Sequence, residues 1–264
     1  MDETKQEGQG MGQLEGKVAV VTGASSGSGR GIAKRFVEEG ASVVMLARGR
    51  QRLEEVAAAC GDAALAMVTD VGDPDSVGAA FEDVEKRFGK LDILINNAAV
   101  YRPCAVERLS DHDIVRQVST NFLGPVYTSR AAIPLMRAAG GGDIVNTSSE
   151  STLDPFPMLS MYVATKAALE MFDRVLAEEL RDEDIRVTTL VQGTASGTGG
   201  GSTDWEWDPG HAGEAVELWG KLGLLNRVGG RAGGQQVADV ADVHLFIVTR
   251  PRTQKLDTVY CRSF

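Results

Sequence analysis

From Lys17 onward the chain alternates short apolar runs with longer stretches in which apolar residues recur at helical spacing. The runs "KVAVVT" (17–22), "SVVML" (42–46), "ALAMVT" (64–69), "LDILIN" (91–96), "DIVNTS" (143–148) and "IRVTTLV" (185–191) predict six strands, and "KLDTVYC" (255–261) a closing one. Helical periodicity covers 27–39, 50–59, 74–88, 111–139, 160–182 and 237–249. The third of these opens at Asp73-Pro74, a favourable N-cap with proline at the first helical position. Continuous apolar strands separated by helices imply a parallel sheet covered on both faces. The expectation is one α/β domain, doubly wound, with its ligand crevice outside the carboxyl ends of the strands.

One stretch breaks the rhythm. Residues 193–236 begin "GTASGTGGGSTDWEWDPG" and hold all three tryptophans, Trp205, Trp207 and Trp219. A segment of this length between a strand and the last helix is either disordered or a functional lid; as a lid it makes Trp205 and Trp207 candidate substrate contacts, the alternative being that the tryptophans fill an oligomer interface. Asp204, Glu206 and Asp208 lie among them, which disfavours anionic substrates and points to an uncharged, largely apolar one. Residues 1–13 read as a flexible polar tail and 14–264 as a single domain. Nothing in the tail resembles a signal peptide, and no apolar run is long enough to span a membrane. A net charge of −10 with no basic run argues against nucleic acid and membrane partners. Cys60, Cys104 and Cys261 are scattered and fit a reducing, cytoplasmic setting better than a disulfide framework or a zinc site. His112, His211 and His244 form no cluster, so no metal is expected.

The candidate chemistry starts after the first strand. "TGASSGSG" (22–29) joins that strand to the first helix, and its glycines permit a tight turn and close backbone approach to a pyrophosphate on the helix N-terminus. Gly23, Ser25, Ser26, Gly27, Ser28 and Gly29 are the candidate cofactor contacts in this Rossmann-like unit. At the end of the second strand, where an acidic residue would meet the ribose of NAD, the chain reads "MLARGR". Arg48 there can pair with a 2′-phosphate, so NADP is preferred over NAD. Farther on, Tyr162 and Lys166 stand four residues apart in "MYVATKAALEMF", one turn apart on one helix face.

Together these motifs resemble the short-chain dehydrogenase/reductase family, from about Gly16 to the C-terminus. The elements are "TGASSGSG" (family TGxxxGxG), "DV" at 70–71, "NNAA" at 96–99, Asn121, "NTSS" at 146–149 and "YVATK" at 162–166. The resemblance implies an NAD(P)-dependent oxidoreductase acting on a secondary alcohol or its ketone. It assigns Tyr162 as acid/base, Lys166 to the nicotinamide ribose and the tyrosine, Ser149 to the substrate oxygen, and Asn121 to a water-linked proton relay. It places Asp70 and Val71 at the adenine, and Asn97 with its neighbour Ala98 beside the cofactor. A free tyrosine has a pKa of about 10, and lowering it to about 7 takes about 4 kcal/mol, of which the Lys166 ammonium and an oxidised nicotinamide would supply part. The family also implies a homo-oligomer, a tetramer or dimer, pairing helices 111–139 and 160–182.

One segment departs from the pattern. After the sixth strand the family reads Pro-Gly, then a threonine four residues past the glycine; here "VQGTASGT" puts Gly193 in the proline's place, Thr194 in the glycine's and Thr198 in the threonine's. Loss of a fixed φ predicts a looser turn. The competing readings are a dinucleotide-binding regulatory protein without turnover and a hydro-lyase or isomerase on the same fold; the complete Ser149, Tyr162, Lys166 set argues against the first.

Overall fold

The computed structural model describes residues 12–196, 208–225 and 234–262. Seven parallel strands form the central sheet in the order β3-β2-β1-β4-β5-β6-β9. They are β1 (Val18–Thr22), β2 (Ser42–Ala47), β3 (Ala64–Val68), β4 (Ile93–Asn96), β5 (Gly142–Ser149), β6 (Ile185–Gln192) and β9 (Thr258–Cys261). The order reverses between β1 and β4, and the crevice opens there.

Strand alternation sorts side chains into two cores. Ala19, Val21, Val43 and Met45 pack with Ile32 and Phe36 of α1 (Gly27–Glu38), Leu53 of α2 (Arg50–Cys60), and Leu245 of α8 (Val237–Val248). Val18, Val20, Val44 and Leu46 pack against α3 (Pro74–Phe88), α5 (Gly124–Ala138) and α6 (Ser160–Glu179) through Phe81, Met136 and Leu176. This two-sided burial explains why the strands read as unbroken apolar runs. Asp73 caps α3 as its sequence predicts, accepting a hydrogen bond from the Asp75 amide.

Three features differ from the periodicity. The expected helix over 111–139 is divided into α4 (Asp111–Val118), a π-helical turn at Ser119–Leu123, and α5. The break is fixed by Asn121, which is fully buried and bonds both backbone groups of Val100 (2.8 and 2.7 Å). A widened turn aims that side chain at the strand end, where a regular helix would not. Within 193–236 stands a helix the glycines concealed, α7 (Pro209–Lys221), whose N-cap Asp208 accepts from the His211 amide. Asp208 is therefore occupied in capping. Two further short strands, β7 (Ala195–Ser196) and β8 (Gln235–Gln236), pair in parallel beside β6. Gln13, assigned to the tail by its polarity, donates its amide to Glu39; residues 1–11 lie outside the described set.

Candidate active site

A cleft of about 440 Å³ runs along the carboxyl ends of the strands, from the glycine loop and Arg48 at one end to Ser149, Tyr162 and the β6–β7 turn at the other. At the first end the loop is backbone architecture. Gly23 has φ +68, and a Cβ on Gly29 would stand 2.4 Å from the Gly23 carbonyl oxygen. Neither position admits a side chain without moving backbone. Ser26 is the N-cap of α1 and makes no side-chain cap bond, and Ser26, Gly27 and Ser28 at the start of that helix line the cleft, where a helix N-terminus can receive a phosphate. Thr22 ties loop to β4 by accepting from the amides of Asn97 and Ala98, both 3.0 Å. Asn97 returns its amide group to the Thr22 carbonyl at 3.2 Å. Asp70 is held by the Ser76 hydroxyl on its own amide and accepts from the Gly72 amide.

At the second end Ser149 closes β5 and Tyr162 lies in the first turn of α6. The Ser149 hydroxyl accepts from the Ser151 hydroxyl (2.9 Å) and amide (3.2 Å). Burial pushes the Tyr162 phenol up to about 12; a hydrogen bond with Ser149 opposes the shift, and the nearby Tyr101 and Glu150 add to it. The phenol is therefore neutral at physiological pH. Lys166 is buried, donates to the Thr147 carbonyl at 2.6 Å, and stands 5.9 Å from the Tyr162 ring centroid. Its burial draws its own pKa down to about 8, against the upward pull of Asp173 and Glu170. The expected lowering of the tyrosine by this ammonium is not seen: burial sets the shift, and the one group opposing it is Ser149 rather than Lys166. Asn121 reaches Thr165 Oγ1 (3.2 Å), and Thr165 bonds the Tyr162 carbonyl (2.7 Å), so the π turn braces the helix that carries both groups.

Behind this end lies a buried polar layer. Thr128 donates to Asn96, Asn96 to Asn146, and Asn146 to one oxygen of Asp173. Thr189 donates to the other oxygen at 2.6 Å. Burial pushes the Asp173 carboxyl up to about 7. Glu170, one turn beyond Lys166, accepts from Ser148 (2.6 Å) and Thr152 (2.7 Å) on either side of Ser149. His244 is a core residue, its pKa drawn down to about 4 by burial.

The structure gathers most of the residues singled out from the sequence along one cleft. Gly23, Ser25, Ser26, Gly27, Ser28, Arg48, Asp70, Val71, Asn97, Ala98, Ser149, Tyr162 and Thr194 line it. Gly29, Asn121 and Lys166 stand behind its wall, all three buried. Thr198, Trp205 and Trp207 lie outside the described residues. Sequence reasoning missed the apolar wall at the tyrosine end: Tyr101, Phe156 and Leu159. Trp219 completes it, edge-on to Phe156 with centroids 5.5 Å apart and with its indole N–H on the Pro157 carbonyl at 2.8 Å. The "DP" at 208–209, repeating the Asp73-Pro74 start, was the available clue to the helix that carries it. On the expected pairing face, Val115 of α4 and Met171 and Val175 of α6 are exposed. No helix among the described residues is long and apolar enough to cross a membrane, and none of their His, Cys, Asp and Glu side chains group to hold a metal.

A doubly wound parallel sheet with a glycine loop at its switch point, and a serine, tyrosine and lysine at the far end of the same cleft, defines a dinucleotide-binding oxidoreductase. Residues 17–208 match the model of the short chain dehydrogenase family, and the chain belongs to that family. A short-chain type dehydrogenase/reductase of Picea abies is 36% identical over 248 residues, 89% of this chain and 87% of the relative. L-Sorbose reductase of Gluconobacter frateurii, solved with NADPH and L-sorbose, superposes with a TM-score of 0.80 at 31% identity, covering 96% of this chain and 97% of that one. The 3-ketoacyl-(acyl-carrier-protein) reductase of Brucella melitensis, solved with NADH, gives 0.78 at 30% identity, covering 94% and 97%.

Proposed function

We propose that the protein interconverts a largely apolar, uncharged ketone and its secondary alcohol with NADP(H), using Tyr162 as the acid/base. The observation that carries this reading is the union, in one cleft, of Arg48 beyond the glycine loop, Ser149 with Tyr162 at the opposite end, and an apolar wall facing them. The glycine loop fits a dinucleotide: the space a Cβ of Gly29 or Gly23 would fill is taken by backbone, so the loop lies flat, and the start of α1 offers its amides. Arg48 suits a 2′-phosphate, and Asp70, Val71, Asn97 and Ala98 suit the adenosine half. Thr194 suits the nicotinamide half. The cofactor, when bound, supplies or takes up the hydride.

The chain's own residues manage the proton. The Ser149 and Tyr162 hydroxyls converge on a carbonyl oxygen, and Tyr162 donates its proton as negative charge develops there. The raised pKa keeps the phenol protonated and able to donate at pH 7, but it also weakens the acid, which the Lys166 ammonium must offset as the proton leaves. Lys166 stabilises the tyrosinate left behind, held in place by the Thr147 carbonyl. Asn121, by fixing the π turn against Val100 and Thr165, keeps the lysine's surroundings rigid. Tyr101, Phe156, Leu159 and Trp219 exclude water from the hydride path and favour an apolar substrate body.

Absorbance of NADPH at neutral pH tests the reading with matched pairs of ketones and keto acids of equal size. Neutral ketones are expected to be reduced with kcat/KM at least about tenfold higher, the size of one unfavourable charge contact. Equal or faster reduction of the keto acids removes the substrate assignment. NADPH that binds without any turnover across the panel restores the regulatory reading.

A further inference from the structure

Gly193 stands where a proline would fix the turn after β6, yet the turn is not loose. The Gly193 amide donates to the Cys261 carbonyl on β9 at 2.7 Å. Proline there would delete that bond. The Thr194 amide donates to Glu150 Oε1 at 3.1 Å, and the Thr194 carbonyl accepts from the Gln235 amide at 3.1 Å. Gln235 also donates its side-chain amide to the same Cys261 carbonyl, at 3.0 Å. Glu150 follows Ser149 directly and lines the cleft. Its carboxylate is only 14% exposed; Arg262 approaches its second oxygen at 3.7 Å and also binds Asp154 at 2.8 Å. A Cβ on residue 193 would stand 3.1 Å from Glu150 Oε2, so glycine is what lets the carboxylate lie against the turn.

We propose that Glu150 is the positioning residue of the turn at Gly193–Ala195, clasping it from the serine side so that its backbone is held ready for the nicotinamide end of the cofactor. The proposal rests on the dinucleotide reading given above. Three observations support it independently of any pKa. The carboxylate joins three parts of the chain distant in sequence: the β5 end, the β6–β7 turn and the C-terminal Arg262. Its acceptor oxygen meets a backbone amide of the turn itself. And the turn lines the cleft beside Ser149 and Tyr162, opposite in the cleft to Arg48, so its order bears on one end of a dinucleotide only. The charge matters as well as the geometry: an ionised acceptor makes a stronger bond to an amide than a neutral one, and Arg262 keeps it balanced.

The test compares Glu150→Ala and Glu150→Gln with the parent in three measurements. These are amide hydrogen exchange at Thr194 in the free protein, NADPH affinity from tryptophan fluorescence, and affinity for adenosine 2′,5′-bisphosphate, which lacks the nicotinamide. Glu150→Ala is expected to speed Thr194 exchange and to weaken NADPH, each roughly tenfold, the size of one hydrogen bond to a charged acceptor. Adenosine 2′,5′-bisphosphate should bind as in the parent. Glu150→Gln, which keeps an acceptor oxygen but not the charge, should recover about half of each loss on a logarithmic scale. Unchanged Thr194 exchange overturns the proposal, as does equal weakening of both ligands, which marks general damage to the fold. If the parent binds neither ligand, the dinucleotide reading falls, and Thr194 exchange still decides whether Glu150 holds the turn.

Discussion

The two ends of the cleft are built from different materials. The glycine-loop end is backbone: Gly23 in a left-handed conformation, Gly29 against the Gly23 carbonyl, and amides of Asn97 and Ala98 on the Thr22 hydroxyl. The tyrosine end is side chain: Tyr162, Lys166, Glu170 and Asp173 on one helix, backed by Asn96, Asn146 and Thr189, with Tyr162, Lys166 and Asp173 pushed by burial toward their neutral forms. Backbone binds any ligand with the right phosphate geometry and tolerates little substitution. Buried side chains set protonation and substrate choice and can be exchanged singly. The first end should therefore govern affinity, and the second rate and pH response.

The sharpest break between the ends is Tyr162→Phe. The ring stays beside Tyr101, whose centroid lies 5.6 Å away, and only the hydroxyl is lost. Turnover is expected to fall at least about 100-fold, the lower bound for a positioned acid/base. Affinity for adenosine 2′,5′-bisphosphate should not move. A variant that keeps more than about a hundredth of parental kcat assigns the proton to another group.

Arg48→Asp probes the other end with a smaller effect. If Arg48 meets the 2′-phosphate as proposed, replacing its cation with an anion should weaken NADPH by more than about tenfold and improve NADH, most clearly at low salt. With saturating cofactor, kcat should stay within about twofold, since Arg48 is at the opposite end of the cleft from Tyr162. Parental affinity that is already equal for the two cofactors defeats the preference. A large kcat loss at saturation denies the division of labour between the ends.

How much of this was legible in the chain follows the same division. The strands, α1 and the glycine loop are local: apolar runs, caps and glycines act within a few residues, and the sheet order at its switch point follows from the βαβ rhythm. Ser149, Tyr162 and Lys166 were readable because their spacing along one strand end and one helix carries the motif. What escaped depends on long-range contacts. The π turn exists because Asn121 bonds Val100, 21 positions earlier. Glu150 reads as an ordinary surface charge until it meets Thr194, 44 positions later. The looseness expected of the proline-less turn was inferred from one missing torsional restraint, whereas its order comes from bonds to Glu150, Gln235 and Cys261. Trp219 was noticed for its size, but its place in the wall depends on α7, which the surrounding glycines hid.

The smallest effect tests whether the buried charge behind the tyrosine end is real. Asp173 is 3% exposed; neutral Asn146 and Thr189 face it from β5 and β6, and the charged groups near it are Lys166 and Glu170 of its own helix. Its folded pKa of about 7 lies above the usual aspartate value of about 3.9, because burial disfavours the carboxylate more than Lys166 and the two hydrogen bonds favour it. With the folded value raised, the unfolded chain releases its proton first as pH climbs. The folded state therefore loses stability between about pH 4 and about pH 7, and no more above that. Asp173→Asn removes the ionisation and keeps a side chain of the same shape, with one oxygen for two donors. Near pH 4, where the folded carboxyl is protonated, the lost bond should cost about 1 kcal/mol, and the stability curve between pH 4 and 7, measured by urea unfolding, should flatten, so that the variant gains on the parent as pH rises. A variant whose curve keeps the parental slope over that window places the titration elsewhere. A variant whose affinity for adenosine 2′,5′-bisphosphate changes shows that the two ends of the cleft are coupled after all.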